Sequence, residues 1–171
     1  MDALKSKIRH VPDFPKAGIL FYDVTTLLRD AEGFKIAIDS LTNPYLDRGI
    51  SLVVGIESRG FILGAAVADR LGAGFVPVRK VGKLPSLTVK VSYDLEYGSD
   101  SLEMHSDAIE PGQRVLIVDD LLATGGTARA TVDLVKQLGG QVEGVTVLIE
   151  LLELNGRARL IGEDVYAVLQ Y

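Results

Sequence analysis

Apolar positions along the chain fall into short runs and helically spaced segments that take turns. Val115-Leu116-Ile117-Val118 is continuous rather than alternating, which suits a strand covered on both faces, as in a parallel sheet. Ser51 to Ile56, Phe75 to Arg79, Val142 to Ile149 and Val165 to Val168 read as further strands. Between them, Ala31 to Asp47 carries Phe34, Ile38, Leu41 and Tyr45 at helical spacing. Phe61 to Leu71, Thr127 to Leu138 (stopped by Gly139-Gly140) and a short stretch near Glu153 to Ile161 complete the predicted helices. Strand, helix and strand in succession imply parallel pairing through right-handed crossovers. The expectation is an α/β fold: a doubly wound, mainly parallel sheet of about five strands with flanking helices, binding ligands beyond the strands' carboxyl ends.

Two stretches break this rhythm. Asp2 to Arg9 reads as a short helix followed by an extended segment through Pro12, Pro15 and Gly18. Val81 to His105 holds Gly82, Pro85 and Gly98 among alternating residues such as Leu87-Thr88-Val89-Lys90-Val91. This second stretch predicts a hairpin insertion spanning approximately residues 80–106, projecting from the sheet where it could act as a hood or lid.

With 171 residues, 47% of them hydrophobic, the chain suits one domain over 1–171 with a proper core. The net charge of −5 argues against a nucleic-acid surface, which normally needs a basic patch. There is no cysteine, hence no disulfide or thiolate metal site. Met1 to Arg9 has no apolar core of a signal peptide, and runs such as Phe61 to Ala68 fall far below the roughly 20 residues of a membrane helix. The expectation is a soluble, cytoplasmic protein that binds neither membrane nor nucleic acid.

The chemistry concentrates in VLIVDDLLATGGT, Val115 to Thr127. Ala123, Thr124, Gly125, Gly126 and Thr127 have little bulk, so backbone N–H groups can close around an anion at the start of the next helix. Asp119 and Asp120 repel a bare phosphate but suit vicinal sugar hydroxyls and a divalent cation. The ligand implied is a sugar phosphate. The loop lacks the Gly-Lys-Ser/Thr ending of a Walker A motif and the spacing of a dinucleotide fingerprint.

Glu57-Ser58-Arg59-Gly60 occupies an equivalent position after the strand ending at Ile56, where backbone N–H groups and a guanidinium could take a pyrophosphate or a heterocycle edge; a salt bridge and helix cap are an equally good reading. Arg79, Lys80 and Lys83 form a basic cluster, with Lys80 the bystander if side chains alternate. Glu96, within Ser92 to Gly98, is a candidate for proton transfer to or from a base under a closing lid, or else a surface glutamate. Phe21, after Ile19-Leu20, is either core or a stacking face for a flat heterocycle. His10 and His105 have no ligand spacing, and Tyr22 is given no role.

Taken together, PDFPKAGILFYDVTTLL, IESRGF, RKVGKLP, SYDLEYG, VLIVDDLLATGGT and the final LQY resemble the type I phosphoribosyltransferases, specifically their adenine-using members, over essentially the whole chain. The resemblance implies that adenine and 5-phosphoribosyl-1-pyrophosphate (PRPP) give AMP and pyrophosphate, with Mg2+ held through pyrophosphate and ribose oxygens, in a homodimer. It implies Asp119 and Asp120 at the ribose, Ala123 to Thr127 at the 5-phosphate, and Glu57 to Gly60 with Arg79 and Lys83 at the pyrophosphate. Leu20, Phe21 and Arg59 would meet adenine, with Glu96 and Arg59 as catalytic candidates. The rivals are a 6-oxopurine (hypoxanthine/guanine) transferase, an orotate-type enzyme and a non-catalytic PRPP-sensing regulator. A 6-oxopurine enzyme usually places a lysine in a base pocket beyond the loop, whereas Lys136 is the only lysine there and falls mid-helix. A regulator needs a nucleic-acid surface for which length and charge leave no room.

Overall fold

The computed structural model describes Asp2 to Asp94 and Ser99 to Tyr171, without the side chains of Asp2 and Asp94. Its elements are α1 (Asp2–Lys5), β1 (Arg9–Pro12), β2 (Leu20–Asp23), α2 (Thr25–Arg29), α3 (Ala31–Thr42), β3 (Leu52–Ile56), α4 (Arg59–Leu71) and β4 (Gly74–Lys80). Then follow β5 (Thr88–Asp94), β6 (Ser99–His105), β7 (Arg114–Leu122), α5 (Gly126–Gln137), β8 (Gln141–Glu150) and β9 (Val165–Gln170). The helix expected near Glu153 to Ile161 is two 3-10 turns, Leu152–Leu154 and Gly156–Leu160. Among the described residues, no helix is long and apolar enough to cross a membrane.

The sheet runs β5-β6-β4-β3-β7-β8-β9. Its parallel part is the five strands β4, β3, β7, β8 and β9, joined by parallel ladders throughout. Each strand feeds two cores because successive side chains point to opposite faces. Val53, Leu116, Val118 and Leu148 pack with Leu27, Leu41 and Leu63 of α2, α3 and α4. Val54, Val115, Ile117 and Val145 pack on the other side with Val132, Leu134 and Val135 of α5. That double burial is why the strands read as unbroken apolar runs.

Three further features differ from the sequence expectation. The hairpin of β5 and β6 is antiparallel and adds two strands to the sheet edge, β6 pairing with β4 at Arg79–Glu103 and Lys80–Leu102. Glu103, only 4% exposed, fastens it: its carboxylate accepts N–H bonds from Gly82 at 3.0 Å and from Lys83 and Leu84 at 3.2 Å, and the Thr88 hydroxyl at 3.2 Å. Second, the extended N-terminal stretch is a two-stranded antiparallel hairpin, β1 with β2. Third, β7 does not stop at Val118. It continues beside β8 with Leu121 opposite Ile149 and Leu122 opposite Glu150, so both aspartates lie within the strand.

Candidate active site

At the carboxyl end of β7 the two acids of the pair take different partners. Asp119 faces a small cavity of about 80 Å³ that Ala123, Thr124, Gly125, Gly126 and Thr127 also line. Asp120 is buried and accepts a 2.5 Å bond from Arg59 Nε. Burial raises the Asp119 carboxyl well above the usual carboxylate range, and the negative charge of Asp120 beside it pushes the same way. The Asp120 backbone N–H, at 2.8 Å from Asp119 Oδ1, offsets only part of this.

The loop after β7 takes its shape from glycine. Gly125 has φ +82° and precedes α5, turning the chain so that the helix's first N–H groups open onto the cavity. A Cβ on Gly125 would meet the Gly156 carbonyl at 2.3 Å, and one on Gly156 would meet the Ala123 carbonyl at 2.3 Å. The two turns therefore interlock backbone to backbone. Behind Gly156, Arg157 forks onto the buried Glu150 carboxylate at 2.6 and 2.8 Å. Sequence reasoning missed Gly156, Arg157 and Glu150; only the Asn-Gly turn at Asn155-Gly156 offered a signal.

At the end of β3, Glu57 gathers the basic cluster. Its carboxylate takes Lys83 Nζ at 2.6 Å, Arg79 Nε and Nη2 at 3.3 Å and the Lys80 backbone N–H at 3.2 Å. Burial pushes the Glu57 carboxyl up, but the bonds from Lys83, Arg79 and Lys80 outweigh it and hold it at about 2. Glu57 thus reaches an anion site only through the cations it holds. The Lys80 side chain turns away to Asp100 at 2.9 Å, as alternation along β4 requires. Ser58 to Gly60 lead into α4, and a Cβ on Gly60 would stand 2.9 Å from Asp119 Oδ1 and 3.0 Å from the Val118 carbonyl. Gly60 is what lets the two strand ends close on each other.

A third region lies beside them. Arg9, Val11, Phe14, Phe21, Asp23, Thr25 and Arg59 line a largely apolar cavity of about 560 Å³. The β1–β2 hairpin sets Val11 opposite Phe21 and Arg9 opposite Asp23, and Phe14 meets Phe21 edge to face at 5.2 Å. Asp23 is held down to about 2 by bonds from Thr25 and Arg9. Leu20 is exposed and does not line this cavity, because alternation along β2 puts it on the opposite face from Phe21. Arg59 belongs both to this cavity and to the Asp120 pair, joining the aromatic-lined cavity to the acidic strand end.

Tyr93 on β5 connects the hairpin to the loop: its hydroxyl accepts from Thr127 Oγ1 at 3.3 Å, and its ring lies 3.0 Å from where a Gly126 Cβ would stand. Glu96 lies outside the described residues.

An acidic pair, a glycine loop around a small cavity and a neighbouring cation cluster thus meet at the carboxyl edge of a parallel sheet. Consistent with this, the family model for the phosphoribosyl transferase domain matches residues 25–165. The adenine phosphoribosyltransferase of Acidobacterium capsulatum is 62% identical over 99% of this chain and 94% of its own length. The adenine phosphoribosyltransferase structure from Rhodothermus marinus superposes with a TM-score of 0.96 at 57% identity, covering 99% of this chain and 97% of that one. The Saccharomyces cerevisiae enzyme, solved with an iminoalditol bisphosphate and adenine, gives 0.93 at 41% identity, covering 98% and 97%. The chain belongs to the adenine phosphoribosyltransferase family.

Proposed function

We propose that this chain catalyses purine salvage, condensing adenine with PRPP to AMP and pyrophosphate, and that the three regions described above are its base, donor and pyrophosphate sites. The observation that carries the reading is the Arg59–Asp120 pair, which sets the aromatic cavity directly against the strand end that would hold ribose. Adenine lies on Phe21. The 5-phosphate takes the Ala123 to Thr127 loop, the ribose hydroxyls lie at Asp119 and Asp120, and pyrophosphate meets the Ser58 to Gly60 backbone, Arg79 and Lys83.

As the C1–pyrophosphate bond breaks, positive charge develops on the sugar ring, and Asp119 and Asp120 favour it. Arg79, Lys83 and the start of α4 receive the departing negative charge. The β5–β6 hairpin closes over the site and keeps water from the sugar. Glu96 moves the proton at the base, and Arg59 orients base and Asp120 together.

The carboxylates present fit a magnesium ion carried in on the substrate. Among the described residues, no group of three or more potential ligands could hold a metal alone, and magnesium ordinarily binds through one or two carboxylates plus substrate phosphates and water. Asp119 and Asp120 would flank it, and the ion would neutralise pyrophosphate oxygens. The enzyme acts as a cytoplasmic homodimer, a reading that rests on the family likeness.

A 6-oxopurine preference has no support here: Lys136 is bound to Glu163 at 2.5 Å on α5 and is absent from the base cavity lining. Purified protein should release pyrophosphate from PRPP and magnesium with adenine and not with hypoxanthine or guanine. Turnover with either 6-oxopurine but none with adenine would overturn the reading.

A further inference from the structure

Among the described residues, the cavity that takes the donor's phosphate has no cation in its lining and carries the Asp119 carboxylate at its edge. A phosphomonoester brings nearly two negative charges into it at neutral pH. Helix N–H groups supply partial positive charge only.

Three arginines lie on α5 and on the Gly156–Leu160 turn that packs beside this loop, and two are bound to carboxylates. Arg129 binds Asp133 and Glu163. Arg157 forks onto Glu150. Arg159 differs: it is exposed, it has no carboxylate partner among the described residues, and its Nη1 lies 3.8 Å from where a methyl on Gly126 would stand. Glu163, the acidic residue that follows it on the same connection, is already shared by Arg129 and Lys136. The Gly125–Gly156 interlock fixes the turn that carries Arg159 relative to the loop, so the backbone of Arg159 stands within reach of Gly126 at the start of α5.

We propose that Arg159 is a binding residue for the 5-phosphate of PRPP, closing the outer side of the Ala123 to Thr127 loop and supplying the full positive charge that the loop lacks. The proposal rests on the reading of that loop as the donor-phosphate site. A guanidinium fork to phosphate oxygens is a strong, oriented contact. Its effect falls on groups bearing the 5-phosphate and spares those bearing only pyrophosphate.

The test is calorimetric titration of the full-length protein, wild type and variants, with ribose 5-phosphate and separately with magnesium pyrophosphate. Arg159→Ala should weaken ribose 5-phosphate by about ten-fold, the usual worth of one charge-assisted contact, and leave pyrophosphate unchanged. Arg159→Lys should recover part of the loss, because it restores charge without the fork. Steady-state kinetics should show a raised KM for PRPP with kcat and the adenine KM unaltered. Unchanged ribose 5-phosphate affinity in Arg159→Ala would overturn the proposal, as would equal weakening of both ligands, which marks a diffuse surface-charge effect. Failure of the wild type to bind ribose 5-phosphate at all would instead overturn the donor-loop reading beneath it.

Discussion

Glu57 and Asp119 stand at the carboxyl ends of adjacent strands, yet their surroundings treat a carboxylate in opposite ways. Glu57 is enclosed by Lys83, Arg79 and a backbone N–H, and its carboxyl is held at about 2. Asp119 is partly buried against another carboxylate, and its carboxyl is pushed up. Asp120 has Arg59 for a partner; Asp119 has one backbone N–H. The satisfied acid organises the cations that the proposed function assigns to pyrophosphate. The unsatisfied one keeps an unmet demand for hydroxyl protons or a cation, which a ribose with magnesium would answer. Stability is thus given up at one strand end and gained at the other, and the end that gives it up is where the chemistry belongs.

Breaking the pair at the strained end has the largest expected effect. Asp119→Asn with Asp120→Asn should lower turnover by at least about a hundred-fold, since charge stabilisation of this kind is commonly worth that much, with the fold retained by circular dichroism. Next comes the turn behind the loop. Gly156→Ala places a Cβ against the Ala123 carbonyl, so it should destabilise by about 1–3 kcal/mol, as overpacking does. It should also raise the KM for PRPP more than that for adenine; equal changes in both would show that the interlock does not shape the donor loop specifically.

The smallest effect is at the satisfied end. Glu57→Gln should reduce stability at neutral pH by about 1 kcal/mol, since Arg79 and Lys83 are exposed enough to be rehydrated. The sign follows from the lowered carboxyl: Glu57's contribution is present above its ordinary 4.5 and disappears as pH falls from there towards about 2. Denaturant midpoints of the variant and wild type should therefore converge over that acid range. Midpoints that stay parallel through it would show that the Glu57 charge is not the source.

Much of this arrangement is legible in the chain because the responsible interactions are local. Val115 to Val118 announces a strand buried on both faces, and Ala123 to Thr127 announces a loop whose backbone must approach a ligand. What the chain conceals depends on partners distant in sequence. Asp119 and Asp120 look like the start of a loop, and only the extension of β7 beside β8 makes them strand residues. Gly156 looks like an ordinary turn until Gly125 is set against it. Nothing in the sequence marks Glu103, and its burial follows from the hairpin folding back onto Gly82 to Leu84. Leu20 and Phe21 are both apolar neighbours, and a strand period of two decides which one lines the cavity.

The central claim, that Asp119 trades stability for donor binding, has a direct measurement: the melting temperature of Asp119→Asn at neutral pH, with and without PRPP and magnesium. The asparagine keeps an oxygen for the Asp120 N–H and removes the repelling charge. Burial and the neighbouring Asp120 charge both penalise a charged Asp119, and a neutral asparagine does not meet that penalty. The account therefore expects the free variant to melt higher than the wild type, by about 2–4 °C for each ~1 kcal/mol relieved, and to lose most of the shift that PRPP and magnesium give the wild type. A variant that melts lower and keeps the full ligand-induced shift would contradict it.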